Sequence, residues 1–324
     1  MAALTEQISL ARTGSPARKK PGGLGDQLFR AASYASALLV LLFLAGILAS
    51  IAYGGWPAFK EFGFGFVTSS AWNIGQEQYG ALVAIVGTLV SALLALVIGV
   101  PISIGIAVYL TQLCPGWARK PVSMTIELLA SVPSIIYGMW GLFIFAPLFA
   151  HYVQMPVSSL VEGLPIVGTL FYARVPSGVG ILTAGIILAI MIVPFVASIT
   201  RDMLDQIPTV LRESAYGIGC TTWEVVRHVL VPQASVSIIG AVMLGLGRAL
   251  GETMAVTFVI GNANRLSGSI FDPGSTIASR IANEFNEADG MQLNSLMALG
   301  CILFVITFVV LIVARLLVRR VKVA

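Results

Sequence analysis

Charged side chains are scarce in this sequence. Only 10% of the 324 residues are Asp, Glu, Lys or Arg, whereas 57% are hydrophobic. A soluble globular domain carries about 25% charged residues, so the charges here are too few to cover a water-soluble globule of this length. The composition therefore excludes an ordinary soluble protein and favours a membrane protein.

Histidine and cysteine are also scarce, with two and three residues respectively. His151 and His228 are too far apart in sequence to predict a metal site, and Cys114, Cys220 and Cys301 are scattered in or beside apolar segments. The sequence has no glycine-rich loop followed by Lys-Ser/Thr, which excludes ATP hydrolysis by that route. It also lacks a serine–histidine–carboxylate arrangement that would predict an enzyme. We therefore expect a non-enzyme that binds no cofactor or metal.

Long apolar stretches dominate what is present. Six of them have about 20 residues or more, enough to cross roughly 30 Å of hydrocarbon as helices. The sequence therefore predicts an all-α polytopic membrane protein with about six transmembrane helices. Residues 1–30 are predicted to be a disordered basic cytoplasmic tail, and residues 31–324 a single transmembrane domain. The predicted spans are 32–54, 82–111, 122–148, 178–200, 234–261 and 293–318.

The net charge of +4 and the pI of about 9.1 come from basic residues clustered beside the apolar stretches. Such clusters indicate orientation in a membrane, whereas a nucleic-acid binder needs a basic face. A cytoplasmic N-terminus puts 14 of the 19 basic residues inside the cell and leaves Arg248 within a span. Both termini are therefore predicted to be cytoplasmic. The basic residues left outside are Lys60, Arg174, Arg265 and Arg280.

The segment between the fourth and fifth predicted spans, ESAYGIGCTTWEVVRHVLVPQA, has a distinctive pattern. It predicts a short helix, a turn at Gly217 and Gly219, a second amphipathic helix, and a new span that begins at Pro232. Trp223 and Val226 are three residues apart and are predicted to share an apolar face. A helix that lies on the lipid surface explains the pattern equally well.

Two charged residues interrupt the fifth predicted span. Arg248 and Glu252 are four residues apart and are predicted to lie on one face of a helix. Intramembrane charges usually mark a pathway or a paired site, and the guanidinium fork suits phosphate oxygens. A buried ion pair that only fixes helix packing is the alternative. Gly247 and Gly251 form a small-xxx-small pair, which predicts the approach of another helix and a subunit interface.

The third predicted span contains ELLASVPSIIYGMWGLF. Pro133 interrupts it, and a broken helix with hydroxyl side chains is suited to line a polar path. Glu127 belongs either to that path or to a solvated cytoplasmic helix end. The residues predicted for the substrate pathway are Arg248, Glu252, Glu127, Ser134 and Tyr137. The residues predicted for helix packing are Gly247, Gly251 and Pro133.

The segment that starts at Glu213 resembles the EAA signature of bacterial ABC-importer permeases, which reads Glu-Ala-Ala, three residues, Gly, nine residues, then Ile-x-Leu-Pro. The sequence departs from it conservatively at Ser214, Val229 and Val231. In that family the segment, about 208–230 here, docks into a groove of the ATPase subunit. The coupling residues that the resemblance implies are Glu213, Ser214, Ala215, Gly219, Trp223 and Pro232.

Four further segments resemble the C-type permease subunits of bacterial phosphate-specific ABC importers: SSAWNIGQEQYGALVAIVGTL, ELLASVPSIIYGMWGLF, LTAGIILAIMIVPFVASITRDML and GLGRALGETMAVTFVIGN. The resemblance covers about Asp26 to the C-terminus. It implies a type I ABC-importer permease fold in the lipid of the bacterial cytoplasmic membrane, with inorganic phosphate as cargo. The implied partners are an A-type sister permease, a homodimeric ATPase that uses ATP and Mg, and an extracytoplasmic phosphate-binding protein.

Three other functions remain open at this point. A permease for another oxyanion, such as sulfate or molybdate, would share the EAA segment, and the Arg248–Glu252 arrangement is what favours phosphate. An ion-coupled secondary transporter would need no ATPase. A membrane enzyme is disfavoured because no catalytic constellation is evident, and nucleic acid is not an expected partner.

Overall fold

The computed structural model describes residues 23–164 and 167–321, with side chains as far as residue 316. Within these ranges six helical stretches are long and apolar enough to cross a membrane, which confirms the predicted fold class. The predicted tail lies outside the described residues as far as residue 22, and a helix already begins at Leu24. Spans 1 to 6, as named below, are Leu24–Phe62, Leu82–Leu113, Ser134–Val161, Ile181–Asp205, Thr222–Gly251 and Gly290–Leu316.

The α-helices and strands are numbered here in chain order. The helices are α1 Leu24–Phe62, α2 Gly65–Thr68, α3 Leu82–Val108, α4 Gly116–Ser131, α5 Ser134–Trp140, α6 Ala146–Phe149, α7 Met155–Val161, α8 Val167–Phe171, α9 Ile181–Asp205, α10 Thr209–Gly217, α11 Thr222–Val225, α12 Val231–Gly251, α13 Met254–Val259, α14 Ile277–Glu284 and α15 Gly290–Val321. The strands are β1 Trp72–Asn73 and β2 Gln78–Tyr79, with a 3-10 turn Ile74–Gln76 between them.

The chain divides at Ser50 into two compact units. In the first unit, the described part of α1 is exposed along nearly its whole length, as expected of a helix in contact with lipid. The second unit runs from Ile51 onward and contains the packed helices described below.

Span 3 begins later than the sequence predicts. The first part of the predicted 122–148 stretch belongs to α4, a separate helix that carries Arg119, Lys120 and Glu127 and has no buried residue. Too many charges lie in α4 for it to cross hydrocarbon. The spanning helix starts only after Pro133.

Span 5 lies earlier in the chain than the predicted 234–261. It starts at Thr222, within the segment expected to form a separate amphipathic helix, and continues through Pro232 without a break. It ends at Gly251 because the backbone of Glu252 is extended.

Four turns of the described helices are π-helical, and each ends two residues before a proline. Proline lacks an N–H, and in an α-helix its ring collides with the carbonyl four residues before it. In all four turns the residue just before the proline donates its N–H to the carbonyl five residues back, which widens the helix at that point. The pairs are Tyr109–Leu113 with Pro115, Gly141–Phe145 with Pro147, Ala150–Gln154 with Pro156, and Val226–Leu230 with Pro232.

Spans 2 and 4 approach each other closely through small residues. A Cβ placed on Gly185 of span 4 would lie 2.7 Å from the Cβ of Leu94 in span 2. Ala92, Ala95 and Ala184 are almost completely buried at the same contact. Since lipid tails are as apolar as leucine, this close packing of small residues is what holds two such helices together.

A buried polar network joins the segments between spans 1 and 2 and between spans 5 and 6. Trp72 of β1 pairs with Tyr79 of β2, and its indole N–H donates to the Glu284 carboxylate at 2.9 Å. The Arg280 guanidinium, 3% exposed, lies 4.6 Å from the Trp72 ring centre, 3.3 Å from Glu284, and donates to the Asn264 side chain. Burial lowers the pKa of Arg280 from its ordinary value, and Glu284 opposes that shift.

Replacing Glu284 tests how strongly this network holds the second unit. Glu284→Ala strands the Arg280 charge and removes the acceptor of Trp72 and of the Gln292 amide. We expect a loss of about 3 kcal/mol of unfolding free energy, because removing one partner of a buried ion pair leaves an uncompensated charge. The measurement is the thermal unfolding midpoint in detergent. Glu287→Ala, at an exposed position nearby, should leave that midpoint unchanged, and an equally small effect of Glu284→Ala would contradict the prediction.

Candidate functional site

Two broken helices meet at the centre of the candidate site. Pro133 separates α4 from α5 at the start of span 3, and Glu252 separates α12 from α13 at the end of span 5. The two short segments α5 and α13 pack together. A Cβ placed on Gly138 of α5 would come within 2.9 Å of the Cα of Ala255 in α13, so glycine is needed for this contact. Broken helices of this kind line polar pathways in membrane proteins.

Glu252 does not share a helix face with Arg248, and this part of the prediction is wrong. The helix ends at Gly251, so the four-residue spacing no longer places both side chains on one face. The Glu252 carboxylate instead accepts the N–H of Ala255 at 3.2 Å and caps the first turn of α13. The acidic residue therefore holds the break in the fifth span.

Arg248 is a cation without a carboxylate partner among the residues that the structure describes. Its Nε atom is buried and makes no hydrogen bond. The guanidinium carbon lies 6.0 Å from the centre of the Phe195 ring. An uncompensated positive charge within a membrane-spanning helix is costly and attracts an anion. The sequence offered no signal for Phe195, which lies in a different span.

The predicted pathway residues Ser134 and Tyr137 lie on the first turn of α5. Ser134 is half-buried, and its hydroxyl makes no hydrogen bond within the described part of the chain. The Tyr137 hydroxyl donates to the carbonyl oxygen of Leu129 at 2.9 Å, across the break at Pro133. Ser134 is therefore available to a ligand, whereas the Tyr137 hydroxyl already has a partner within the chain.

Glu127 belongs to a separate charged cluster between α4 and the end of span 4. Its carboxylate is 2.9 Å from Arg201, which also contacts Asp202 at 2.6 Å. Arg119 and Asp205 form a second pair at 2.5 Å. These side chains line an open cavity of about 550 Å³. The structure thus places Glu127 in an ion-pair cluster rather than beside Arg248, and Arg201, its main partner, was missed because it is 74 residues away.

The segment that resembles the EAA signature forms a helix, a sharp turn and the start of span 5. Gly219 has a φ of +91°, which confirms the turn predicted there, whereas Gly217 is the last residue of α10. The N–H of Cys220 donates to the Ala215 carbonyl at 3.1 Å, as in a Schellman ending. Thr221 and Glu224 then cap the next helix reciprocally.

This turn presents apolar side chains to the outside. Ile218 is 84% exposed and Trp223 is 67% exposed, whereas Val226 is buried. Trp223 and Val226, predicted to share an apolar face, therefore differ in burial: Val226 is buried together with Val225, whereas Trp223 is exposed. Ala215 is buried, and the side chains of Glu213, Ser214 and Pro232 are exposed.

Gly247 and Gly251 face open space. A Cβ on either residue would have no neighbour within 4 Å among the described atoms. Gly247 lines an apolar groove of about 1010 Å³ between spans 4, 5 and 6, with Leu244 and Phe308 beside it. The partner helix predicted from the glycine pair is therefore not one of the described helices of this chain.

A sequence model of the family described as binding-protein-dependent transport system inner membrane component matches residues 99–323. A relative from Mesorhizobium japonicum named phosphate transport system permease protein PstC is 52% identical over 322 residues, covering 99% of this chain and 98% of its own. A relative of the same name from Haemophilus influenzae is 53% identical over 297 residues, covering 92% of this chain and 94% of its own.

Solved structures agree with the fold. A crystal structure of a bacterial ABC transporter involved in the import of the acidic polysaccharide alginate matches with a TM-score of 0.61, at 19% identity, over 91% of this chain and 96% of that chain. The family match and the nearly full-length relatives show that this chain belongs to the binding-protein-dependent transport system inner membrane components, and it is thus a multi-pass permease subunit of an ABC importer.

Proposed function

We propose that this permease carries inorganic phosphate across the cytoplasmic membrane into the cell. The relatives that match almost the whole chain share a name that specifies phosphate transport. On the chain itself, the observation that carries the proposal is Arg248, a guanidinium without a carboxylate partner in the described structure, one turn before the helix break at Glu252. Its fork of donors fits phosphate oxygens, and the passing anion supplies the missing counter-charge.

The energy in this proposal comes from a separate homodimeric ATPase that uses ATP and Mg. The exposed Ile218 and Trp223, with Glu213 and Gly219, form the docking surface for that ATPase on the cytoplasmic side, where both termini also lie. Trp223 of this surface and Arg248 lie near opposite ends of span 5, one helical rod of 30 residues, about 45 Å long. Movement of the docked end is therefore transmitted to the arginine without a flexible joint.

Two further partners complete the proposed importer. An A-type sister permease covers the open face at Gly247 and Gly251, so that the phosphate path runs between the two permeases. An extracytoplasmic phosphate-binding protein delivers the anion to the segments between spans 1 and 2, 3 and 4, and 5 and 6. Uptake of labelled phosphate by proteoliposomes that contain all four proteins, with sulfate and molybdate as competitors, tests this assignment.

The first prediction concerns dependence on the ATPase. The purified chain alone should hydrolyse no ATP, because its sequence has no phosphate-binding loop. Proteoliposomes should take up phosphate only when the ATPase and ATP are present. Colorimetric phosphate release and labelled uptake measure the two activities. Uptake by the chain without its ATPase would favour an ion-coupled transporter instead.

The second prediction concerns Arg248. Arg248→Met should abolish uptake while the subunit still assembles, because the change removes a positive charge that has no described carboxylate partner. Arg248→Lys should also transport poorly, since a point charge does not reproduce the fork. Adding Glu252→Gln to Arg248→Met should not restore phosphate uptake. No ion pair between the two residues is described, so removing the second charge balances nothing, and a glutamine can still cap α13.

The control for this series is Arg30→Gln, which removes a positive charge at the exposed start of span 1. It should assemble and transport like the unchanged protein. Assembly is measured by co-purification with the ATPase. Near-normal uptake by a well-assembled Arg248→Met variant would leave the phosphate path without its proposed anchor.

The third prediction concerns the turn of the docking surface. Gly219→Val forces a β-branched residue into a positive φ, at a cost of roughly 1–2 kcal/mol. We expect a subunit that inserts but loses ATPase co-purification and uptake. Gly217→Val is the matched control, because Gly217 is helical and equally open to solvent. If both variants couple normally, this turn is a surface helix of no importance to the ATPase.

A further inference from the structure

The break at Pro133 leaves one backbone carbonyl without its usual donor. In a continuous helix the residue at position 133 would donate its N–H to the carbonyl of Leu129, but proline has no N–H. The hydroxyl of Tyr137 lies 2.9 Å from that same carbonyl and donates to it. A side chain one turn beyond the break thus replaces the missing backbone bond across it.

The helix on the near side of the break, α4, packs against span 4 but has no residue that is fully buried. Two ion pairs, Arg119–Asp205 and Glu127–Arg201, attach it to the end of span 4, next to the docking surface. An apolar cavity of about 390 Å³ lies beside Leu129 and Tyr137, between α4 and spans 2 and 4. The helix therefore has room to pivot on its junction with α5.

We propose that Tyr137 is a positioning residue whose hydroxyl clasps α4 to α5 across the Pro133 break. The clasp sets the angle of α4, and with it the distance between the ion-pair cluster and span 5, because Tyr137 packs against the buried cluster that contains Ala249 and Leu250. Tyr137 acts in this way through the Leu129 carbonyl and makes no contact with the transported anion. The inference deepens the proposed transport function but concerns a motion that is measurable without transport.

Spin-label distances in the assembled transporter test the clasp. Labels at Met124 on α4 and Val97 on span 2, both exposed, report the position of α4. The native residues Cys114, Cys220 and Cys301 are changed to Ala for labelling. We expect Tyr137→Phe to increase by about tenfold the fraction of spin-label pairs whose distance lies outside the main peak, because the hydrogen bond that joins the Leu129 carbonyl to α5 is lost. The Val132 N–H, 3.3 Å from the same carbonyl, keeps it bonded only to the end of α4. Phosphate uptake per ATP hydrolysed should fall, with an unchanged half-saturating phosphate concentration.

Two further variants distinguish loss of the Tyr137–Leu129 hydrogen bond from a non-specific disturbance of the fold. Ser131→Ala removes a hydroxyl that donates to the Leu128 carbonyl within α4, so its distance distribution should match that of the unchanged protein. Pro133→Ala restores an N–H at the break and should narrow the distribution of Tyr137→Phe again. If the Tyr137→Phe distribution equals the unchanged one, the clasp is refuted. In that case an altered half-saturation would assign Tyr137 to the anion path. If the unchanged transporter moves no phosphate, the distances still decide the clasp.

Discussion

The constraint on which this structure depends is that backbone polar groups in a membrane must find their partners within the protein. Fifteen prolines make that difficult. At Pro147 and Pro232, inside spanning helices, the turn before the proline widens. Where the helix breaks instead, side chains supply the missing partners. The Tyr137 hydroxyl takes the Leu129 carbonyl, and the Glu252 carboxylate takes the Ala255 N–H.

The hydrogen bonds made at the helix breaks also determine which charged side chain is left without a partner. Since Glu252 is engaged in capping α13, it does not neutralise Arg248, whose Nε remains without a hydrogen bond. The uncompensated charge is thus a product of the same local geometry that breaks the helix. Because span 5 is continuous from Thr222 to Gly251, this charge and Trp223 of the docking surface belong to one helix. The proposed coupling between ATPase and cargo follows from that continuity.

The sequence was sufficient to predict six spans, the turn at Gly219 and the helix break at Pro133, because each depends on length, composition or backbone chemistry that is local. The predictions that failed depended on helical phase or on distant partners. Arg248 and Glu252 were placed on one face because the end of the helix at Gly251 has no strong local signal. The pairing of Glu127 with Arg201 joins residues that are remote in the chain.

The π-helical turn at Val226–Leu230 affects the direction in which the side chains of the rest of span 5 point. Such a turn accommodates one residue more than an α-helical turn, and one residue corresponds to about 100° of rotation around the axis. Deleting a residue there would restore an ordinary α-helix, but it would rotate all later side chains of span 5 around the helix axis. The wide turn before Pro232 therefore sets the azimuth at which Arg248 leaves the helix, sixteen positions beyond the proline.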